Sequence, residues 1–161
     1  MILLNPIHYY YNPMNRTWEQ FIRENRETIL GRWHECGLDL FSGKMAPGTP
    51  LTEALADGMG MILDGFHDGG ELCREGVSRV TRILAVHPFR PSRSLSLFRQ
   101  LRTILQECGG SETDTGFCTE RIDSIVFDAF DLFMEHREMI YQLKVEESHS
   151  KMHMLLRRTG S

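Results

Sequence analysis

The sequence lacks any long hydrophobic run. A membrane-spanning helix needs about 20 consecutive apolar residues, and no stretch of this 161-residue chain approaches that length. The N-terminal segment also lacks the basic residues and the apolar core of a signal peptide, because its longest apolar run is the three residues from Ile2 to Leu4. We therefore expect a cytoplasmic protein that does not bind membranes.

Cysteine is scarce, and its spacing excludes two common uses. The four cysteines are spaced 37, 35 and 10 residues apart, at Cys36, Cys73, Cys108 and Cys118. This spacing has neither the CxxC pairs of metal knuckles nor the density of a small secreted disulfide framework. Reduced, buried thiols are expected.

Motifs of catalysis are missing as well. The chain contains no GxSxG nucleophile elbow, no P-loop and no GxGxxG. Its paired carboxylates, such as Asp128 with Asp131, have the spacing of a solvated helix face. The 22 acidic residues exceed the 18 basic ones, so a nucleic-acid partner is not expected. We expect a binding protein rather than an enzyme, and we expect no cofactor.

What is present is the composition of one globular domain, with 41% hydrophobic and 25% charged residues. No stretch alternates as a strand would, and apolar residues recur at helical spacing. Five helices are predicted: from Thr17 to near Gly43, from Pro50 through Phe66, from Leu72 to before Pro88, from Pro91 to Gly109, and from about Thr119. The last is the longest, because no proline follows Pro91. The sequence predicts an all-α, single-domain helical bundle with a long C-terminal helix.

Two segments flank the helical domain predicted for residues 17–147. Residues 1–16 contain two prolines and three consecutive tyrosines, which predict an extended N-terminal arm. Residues 148–161 are predicted to form a C-terminal helical extension or tail, in which Met152, Leu155 and Leu156 follow a polar stretch. An apolar tip of this kind is typical of dimerisation or docking, and a frayed terminus is the alternative.

Three glycines fall within the second predicted helix, at Gly58, Gly60 and Gly65. Each costs up to about 1 kcal/mol relative to alanine in a helix interior. We therefore expect another backbone to pack closely against this helix.

Charge is segregated along the chain. Residues 76–106 carry six arginines and no acidic residue, whereas residues 112–147 carry ten carboxylates and three basic side chains. One interpretation is that helices from these blocks lie side by side and complement each other. The other is that the turn at Arg90 and Arg93, beside a helix N-terminus, binds an anion or an acidic partner. The candidate anion-binding or partner-binding residues are Arg79, Arg82, Arg90 and Arg93.

Two of the seven histidines have a spacing that suits a metal ion. His149 and His153 lie four residues apart, and Glu146 is one turn earlier. A zinc site needs three or four converging ligands, so a metal site here, and with it a metal-dependent enzyme, is disfavoured.

A second ligand hypothesis uses the aromatic residues. A cavity lined by Phe66, Phe98 and Phe133, with His87 or His136, would hold haem or a small apolar molecule. The simpler interpretation makes His136 a core or interface residue and lets His87 donate to an unpaired helix carbonyl.

Four segments of the chain together resemble a known family. They are WEQFIRENRETILGRW (18–33), PLTEALADGMGMILDGF (50–66), RVTRILAVHPFRPSRSLSLFRQLRTIL (79–105) and FDAFDLFMEHREMIYQLKVEE (127–147). The most specific parts are the ILAVHPFRPSRSL turn between two helices and residues 127–144. These segments resemble the N-terminal domain of RsbRD-type RsbT co-antagonist proteins, and the resemblance spans Trp18 to Glu147.

The resemblance implies a bacterial signalling input module that is all-helical and globin-like, without haem. In that family the helical domain dimerises and passes a signal through its last helix to a C-terminal STAS domain, which carries the phosphorylated threonines. This chain ends at Ser161, so a stand-alone module without the STAS domain is expected. It also has Arg90 where the family pattern has serine.

From these observations we expect a sensory or regulatory module that acts in signal transduction by binding a regulatory protein partner. The last helix is the expected site of homodimerisation. Its predicted dimer or output residues are His136, Ile140 and Leu143, which follow the apolar stripe of that helix.

Overall fold

The computed structural model describes residues 17–109 and 114–160, which form five α helices. They are α1 (Trp18–Leu40), α2 (Pro50–Asp64), α3 (Glu71–Ala85), α4 (Pro91–Glu107) and α5 (Thr115–Thr159). No strand occurs within the described ranges. The predicted all-α bundle with a long C-terminal helix is confirmed, and the arm predicted for residues 1–16 lies outside the described residues.

Side-chain caps fix where the first two helices begin. The Thr17 hydroxyl accepts a hydrogen bond from the Gln20 N–H, and the Gln20 side chain accepts one from the Thr17 N–H, which makes a capping box. Thr49 caps α2, and Pro50 occupies its first position, where a missing N–H costs nothing. This start of α2 is the one that the sequence predicted.

The start of α5 differs from the prediction near Thr119. The helix begins at Thr115, because the carboxylate of Asp114 accepts hydrogen bonds from the N–H groups of Gly116 and Phe117. An aspartate in this position satisfies donors that the first helical turn leaves unpaired. The apolar periodicity starts only after this cap, so periodicity alone placed the helix start too late.

The hydrophobic core lies between the five helices, which pack in the following pairs. The helix α5 packs against α3 and α4, α1 packs against α2 and α4, and α2 packs against α3. The largest fully buried side chains are Trp33, Phe21, Phe66, Phe98 and Phe133. The buried Trp33 indole N–H donates to the Leu97 carbonyl at 2.8 Å, so its polar atom is satisfied.

Glycine allows α2 and α3 to approach closely. A Cβ atom on Gly76 would lie 2.6 Å from the Gly58 carbonyl oxygen and 2.8 Å from the Ile62 nitrogen, and a Cβ on Gly65 would lie 2.6 Å from the Cys73 nitrogen. The expected close backbone packing is therefore confirmed at Gly58 and Gly65. The glycine partner on α3, Gly76, was not part of that prediction.

Gly60 has a different role, because it faces α1. A Cβ atom there would lie 2.8 Å from the Arg26 Nη2 atom. That guanidinium donates to the Asp64 carboxylate at 2.7 and 2.9 Å. The glycine leaves room for this bidentate ion pair between α1 and the end of α2.

We expect Gly76→Ala to lower the free energy of unfolding by about 1–3 kcal/mol, because the added methyl group meets backbone atoms that have no room to move. Gly31→Ala is the matched control, since Gly31 lies in α1 with nothing within 4 Å of an added Cβ. It should stabilise the protein by up to about 1 kcal/mol. Chemical denaturation followed by circular dichroism measures both, and a neutral Gly76→Ala would contradict the close crossing.

Candidate functional site

The four candidate arginines lie in two places. Arg79 and Arg82 are exposed on α3, and the Arg79 guanidinium pairs with Glu75 of the same helix at 2.9 Å. Arg90 is the residue before α4, and Arg93 lies in its first turn. The turn between α3 and α4 therefore carries only the second pair.

The helices of the two charge blocks do lie side by side, since α5 packs against both α3 and α4. One ion pair links α3 to α5 within residues 17–109 and 114–160, and it joins Arg74 to Asp128 at 3.9 Å. Arg74 precedes the basic block. In this part of the chain the six arginines of the block make no ion pair with α5, so they leave the block's charge facing solvent.

The strongest polar contact at the α3–α4 turn comes from α5. The Arg137 guanidinium donates from Nε to the Ala85 carbonyl at 2.6 Å, and from Nη2 to the carbonyls of His87 and Phe89 at 2.6 and 2.9 Å. It also lies over the Phe133 ring, 4.8 Å from the centroid. Carbonyls at a helix C-terminus lack partners within their own helix, and this one side chain supplies them. We call this set of contacts the Arg137 clamp.

Sequence analysis did not identify the Arg137 clamp. A signal was present, since Pro88 and Pro91 remove two N–H donors from a short turn whose carbonyls still need partners. Nothing in the sequence shows that the turn lies beside α5. Only the packing of α3 against α5 brings Arg137 within reach.

His87 takes the role that the simpler prediction gave it. Its Nδ1 atom lies 2.8 Å from the Ile83 carbonyl, so this nitrogen carries the proton of the hydrogen bond. The imidazole ring stacks on Phe89, with centroids 5.7 Å apart, and meets Phe41 edge-on at 4.7 Å. These three rings form an aromatic cluster between the α3–α4 turn and the end of α1.

A cleft of about 350 Å³ opens beside this aromatic cluster. Its walls come from the end of α1 and the loop after it, from the first turn of α2, and from the α3–α4 turn. The lining residues are Leu40, Phe41, Ser42, Lys44, Met45, Leu51, His87, Pro88, Phe89 and Arg93. The cleft is mostly apolar, and its two charged side chains are both basic.

The three residues predicted for a dimer or output surface lie along one side of α5. His136 approaches the Ser78 hydroxyl at 3.5 Å, and Ile140 packs against the core. Burial lowers the pKa of His136, and the positive charge of Arg82 lowers it further. Leu143 is exposed. His136 and Ile140 therefore contact the bundle of their own chain.

A second apolar face of α5 points away from the bundle. At ~100° of rotation per residue, seven exposed apolar residues fall within an arc of ~80°. They are Phe127, Phe130, Met134, Tyr141, Val145, Met152 and Leu155. We call this set the outer stripe; Ser148 falls within the same arc, and so does Arg137, at the edge that faces the α3–α4 turn. Between residues 127 and 155 it extends for ~42 Å along the helix.

The second half of α5 has no cover from the described chain. Every residue from 141 to 160 is exposed, although the helix continues without a break through the polar stretch at 146–151 to Thr159. The outward side of α5 between Asp131 and Glu146 includes Met134, Tyr141 and Val145 of the outer stripe, all of them exposed. This exposed helix is the second part of the candidate functional site.

The metal and thiol predictions concern other parts of the chain. His149, His153 and Glu146 are exposed on the uncovered part of α5, and no group of three or more possible metal ligands occurs among the residues that the structure describes. Cys73 and Cys118 are buried, which raises the pKa of each thiol to about 11 and keeps it protonated. Cys36 and Cys108 are half-buried free thiols.

The aromatic residues proposed for a haem cavity belong to the packed core. Phe98 lies against Trp33, with ring centroids 6.4 Å apart. Phe66 lies against Trp18, with centroids 6.3 Å apart. Phe133 is covered by the Arg137 guanidinium. All three phenylalanines are fully buried, and this packing gives no specific support to a haem site.

Comparison of the chain with known protein families gave no match, and comparisons with curated proteins and with solved structures gave none either. Within the described residues, no helix has the length and the apolar character needed to cross a membrane. The candidate site therefore has to be interpreted from its own geometry.

We expect Arg137→Gln to lower the free energy of unfolding by about 1–3 kcal/mol, because carbonyls at the end of α3 and in the turn lose a charged donor. Hydrogen exchange of the amides at residues 84–94 should become faster. Arg99→Gln is the control, since Arg99 is exposed on α4, and its effect should stay within about 0.5 kcal/mol. Unchanged exchange in the turn of the Arg137 variant would contradict the clamp.

Proposed function

We propose that this protein is a regulatory module that acts in signal transduction by binding protein partners, and that it pairs with a second copy through the outer stripe of α5. The observation that carries the proposal is the outer stripe itself. It is apolar, continuous over several turns of helix, and exposed.

The uncovered half of α5 needs a partner on physical grounds. Helices in proteins gain most of their stability from packing an apolar face rather than from helix propensity. Residues 141–156 of α5 are all exposed. Association with another helix would bury the outer stripe and stabilise this segment.

A second copy of the chain satisfies this need by symmetry. In a two-fold dimer the same patch meets itself, so the outer stripe of one α5 would pack on the outer stripe of the other. Its apolar residues recur at spacings of three, four and seven, which is the pattern of a coiled-coil seam. The bundle packs on another side of α5 and leaves the residues of this face exposed.

Charge along the edges of the stripe favours a parallel pair. One edge carries the basic residues Lys144 and Lys151, which lie seven residues apart. The other edge carries Glu135, Gln142 and His149. Antiparallel helices would set the basic edges against each other, whereas parallel helices set each basic edge against the other edge of the partner. The parallel arrangement avoids like-charge contacts.

The sequence resemblance supports the same function. The segment at residues 127–147, which resembles the last helix of the RsbRD N-terminal domain, contains Met134, Tyr141 and Val145 of the outer stripe. A bacterial signalling role, a cytoplasmic location and action by binding rather than catalysis all belong to this proposal. In it, the inner residues His136 and Ile140 hold α5 to the bundle, and the outer stripe makes the contact with the partner.

We expect Val145→Glu to convert the dimer to monomer at micromolar concentrations, because it places a charge at the centre of the proposed seam. Leu143→Glu is the matched control. Leu143 is two residues away on the same helix and is similarly exposed, at 61% against 55% for Val145, but it faces the other side. Sedimentation equilibrium measures both variants and the unsubstituted protein.

A monomeric unsubstituted protein would overturn the pairing. Loss of the dimer in Leu143→Glu but not in Val145→Glu would move the interface to the other side of α5. Circular dichroism at matched concentration separates dissociation from misfolding, since the bundle helices should keep their signal.

A further inference from the structure

We propose that the cleft between the end of α1 and the α3–α4 turn binds a small aromatic carboxylate. The inference concerns a site separate from the outer stripe, and it does not require α5 to pair. It rests on the shape of the cleft, on the rings in its walls, and on the sign of its charges.

The walls of the cleft are suited to an aromatic ring. Phe41 and Phe89 approach each other edge-on, with ring centroids 5.2 Å apart, and His87 lies against both. Aromatic side chains in such arrangements present ring faces and edges that attract another ring. Leu51 and Met45 complete an apolar lining.

The charges in the cleft are suited to a carboxylate. Lys44 and Arg93 line it, and none of its ten lining residues is acidic. Neither cation forms an ion pair with a carboxylate of residues 17–109 or 114–160. Arg93 makes one long hydrogen bond, from Nη2 to the Leu40 carbonyl at 3.4 Å, and lies over the Phe89 ring at 5.7 Å. Most of the five guanidinium N–H donors therefore remain for a ligand.

The volume of the cleft limits the size of the ligand. At about 30 Å³ for each water-sized group, the 350 Å³ cleft holds about a dozen such groups. A single aromatic ring with a short acid side chain fills that space. A bare inorganic anion would leave the apolar walls without a partner.

The position of the cleft links a ligand to α5. Two residues of the wall, His87 and Phe89, have their carbonyls held by Arg137. A ring packed against Phe89 would therefore touch the segment that the Arg137 clamp connects to the long helix. The same turn carries Arg90 and Arg93, the pair that sequence analysis selected as a candidate anion site.

The test is isothermal titration calorimetry of the full chain with 3-phenylpropionate as the probe. We expect saturable binding with a Kd below about 1 mM. Arg93→Gln should weaken it about tenfold or more, because a charged hydrogen-bonding partner of the carboxylate is lost. Arg99→Gln, on an exposed part of α4 outside the cleft, should leave binding unchanged.

A second variant and an uncharged analogue of the ligand test the same proposal in two further measurements. Leu51→Glu should abolish binding, since it sets a negative charge in the wall; an acidic residue in the first turn of α2 is compatible with the helix dipole, so the variant should fold. 3-Phenylpropanol, which has the ring but no charge, should bind at least about tenfold more weakly.

Three results would overturn the proposal. They are the absence of saturable binding of 3-phenylpropionate, equal binding of the alcohol, and competition by inorganic phosphate at equal concentration. The first would leave the cleft without this ligand class. The second would make it a purely apolar site, and the third would make it a general anion site.

Discussion

One guanidinium group connects the two regions on which the functional proposals rest. Arg137 donates to three carbonyls at the end of α3 and in the turn that follows. The prolines at 88 and 91 supply no backbone donors, and among the three acceptors the His87 carbonyl also accepts a hydrogen bond from the Phe89 N–H at 2.8 Å. The turn therefore depends on α5 for part of its hydrogen bonding, in addition to its own backbone hydrogen bonds. Its conformation in turn sets the aromatic wall of the cleft and the start of α4.

The long helix α5 has two apolar faces with different roles. The inner face, which includes Ile122, Ile125 and Phe133, is buried against α3 and α4. The outer stripe is exposed on the bundle-bound half of the helix as well as on the uncovered half. A helix that is apolar on two sides binds two neighbours. The bundle provides one of them, and a second copy of the chain is the proposed other.

The Arg137 clamp connects the cleft to the long helix α5 through direct contacts. The cleft contacts His87 and Phe89, whose carbonyls are bound by Arg137. Arg137 lies on α5 between Met134 and Tyr141 of the outer stripe. A change in the turn can therefore bias the position of the helix that would carry the partner contact, provided that the turn has two arrangements. The proposed regulatory function needs such a physical connection.

Much of the fold could be predicted from local sequence signals, whereas the candidate sites could be predicted only in part. Thr49 with Pro50 marked the start of α2, and Gly58 and Gly65 indicated close backbone packing, because caps and missing side chains act locally. The Asp114 cap was overlooked, and α5 was predicted to start too late. The Arg137 clamp forms only because α5 packs beside the α3–α4 turn, and the periodicity of a sequence does not predict which segments pack together.

Most of the outer stripe was missed for a related reason, although Met152 and Leu155 belong to the apolar tip that the sequence predicted. Its residues alternate along the sequence with those of the inner face, and a single stripe through His136, Ile140 and Leu143 was sufficient to predict the helix. Burial is needed to show that Met134, Tyr141 and Val145 stay exposed. The resemblance to the RsbRD N-terminal domain remains a prediction.

If two copies pair through the outer stripe with their α5 helices parallel, as proposed, Ser148 lies opposite its counterpart in the second copy. Cysteine cross-linking of the untagged protein under mild oxidation tests this pairing most directly, with the unsubstituted chain as the baseline for its four native thiols. Ser150 is equally exposed but lies on the other side of the helix. We expect a covalent dimer for Ser148→Cys and none above baseline for Ser150→Cys. Equal cross-linking of both variants, or of Ser150→Cys alone, would contradict the proposed pairing.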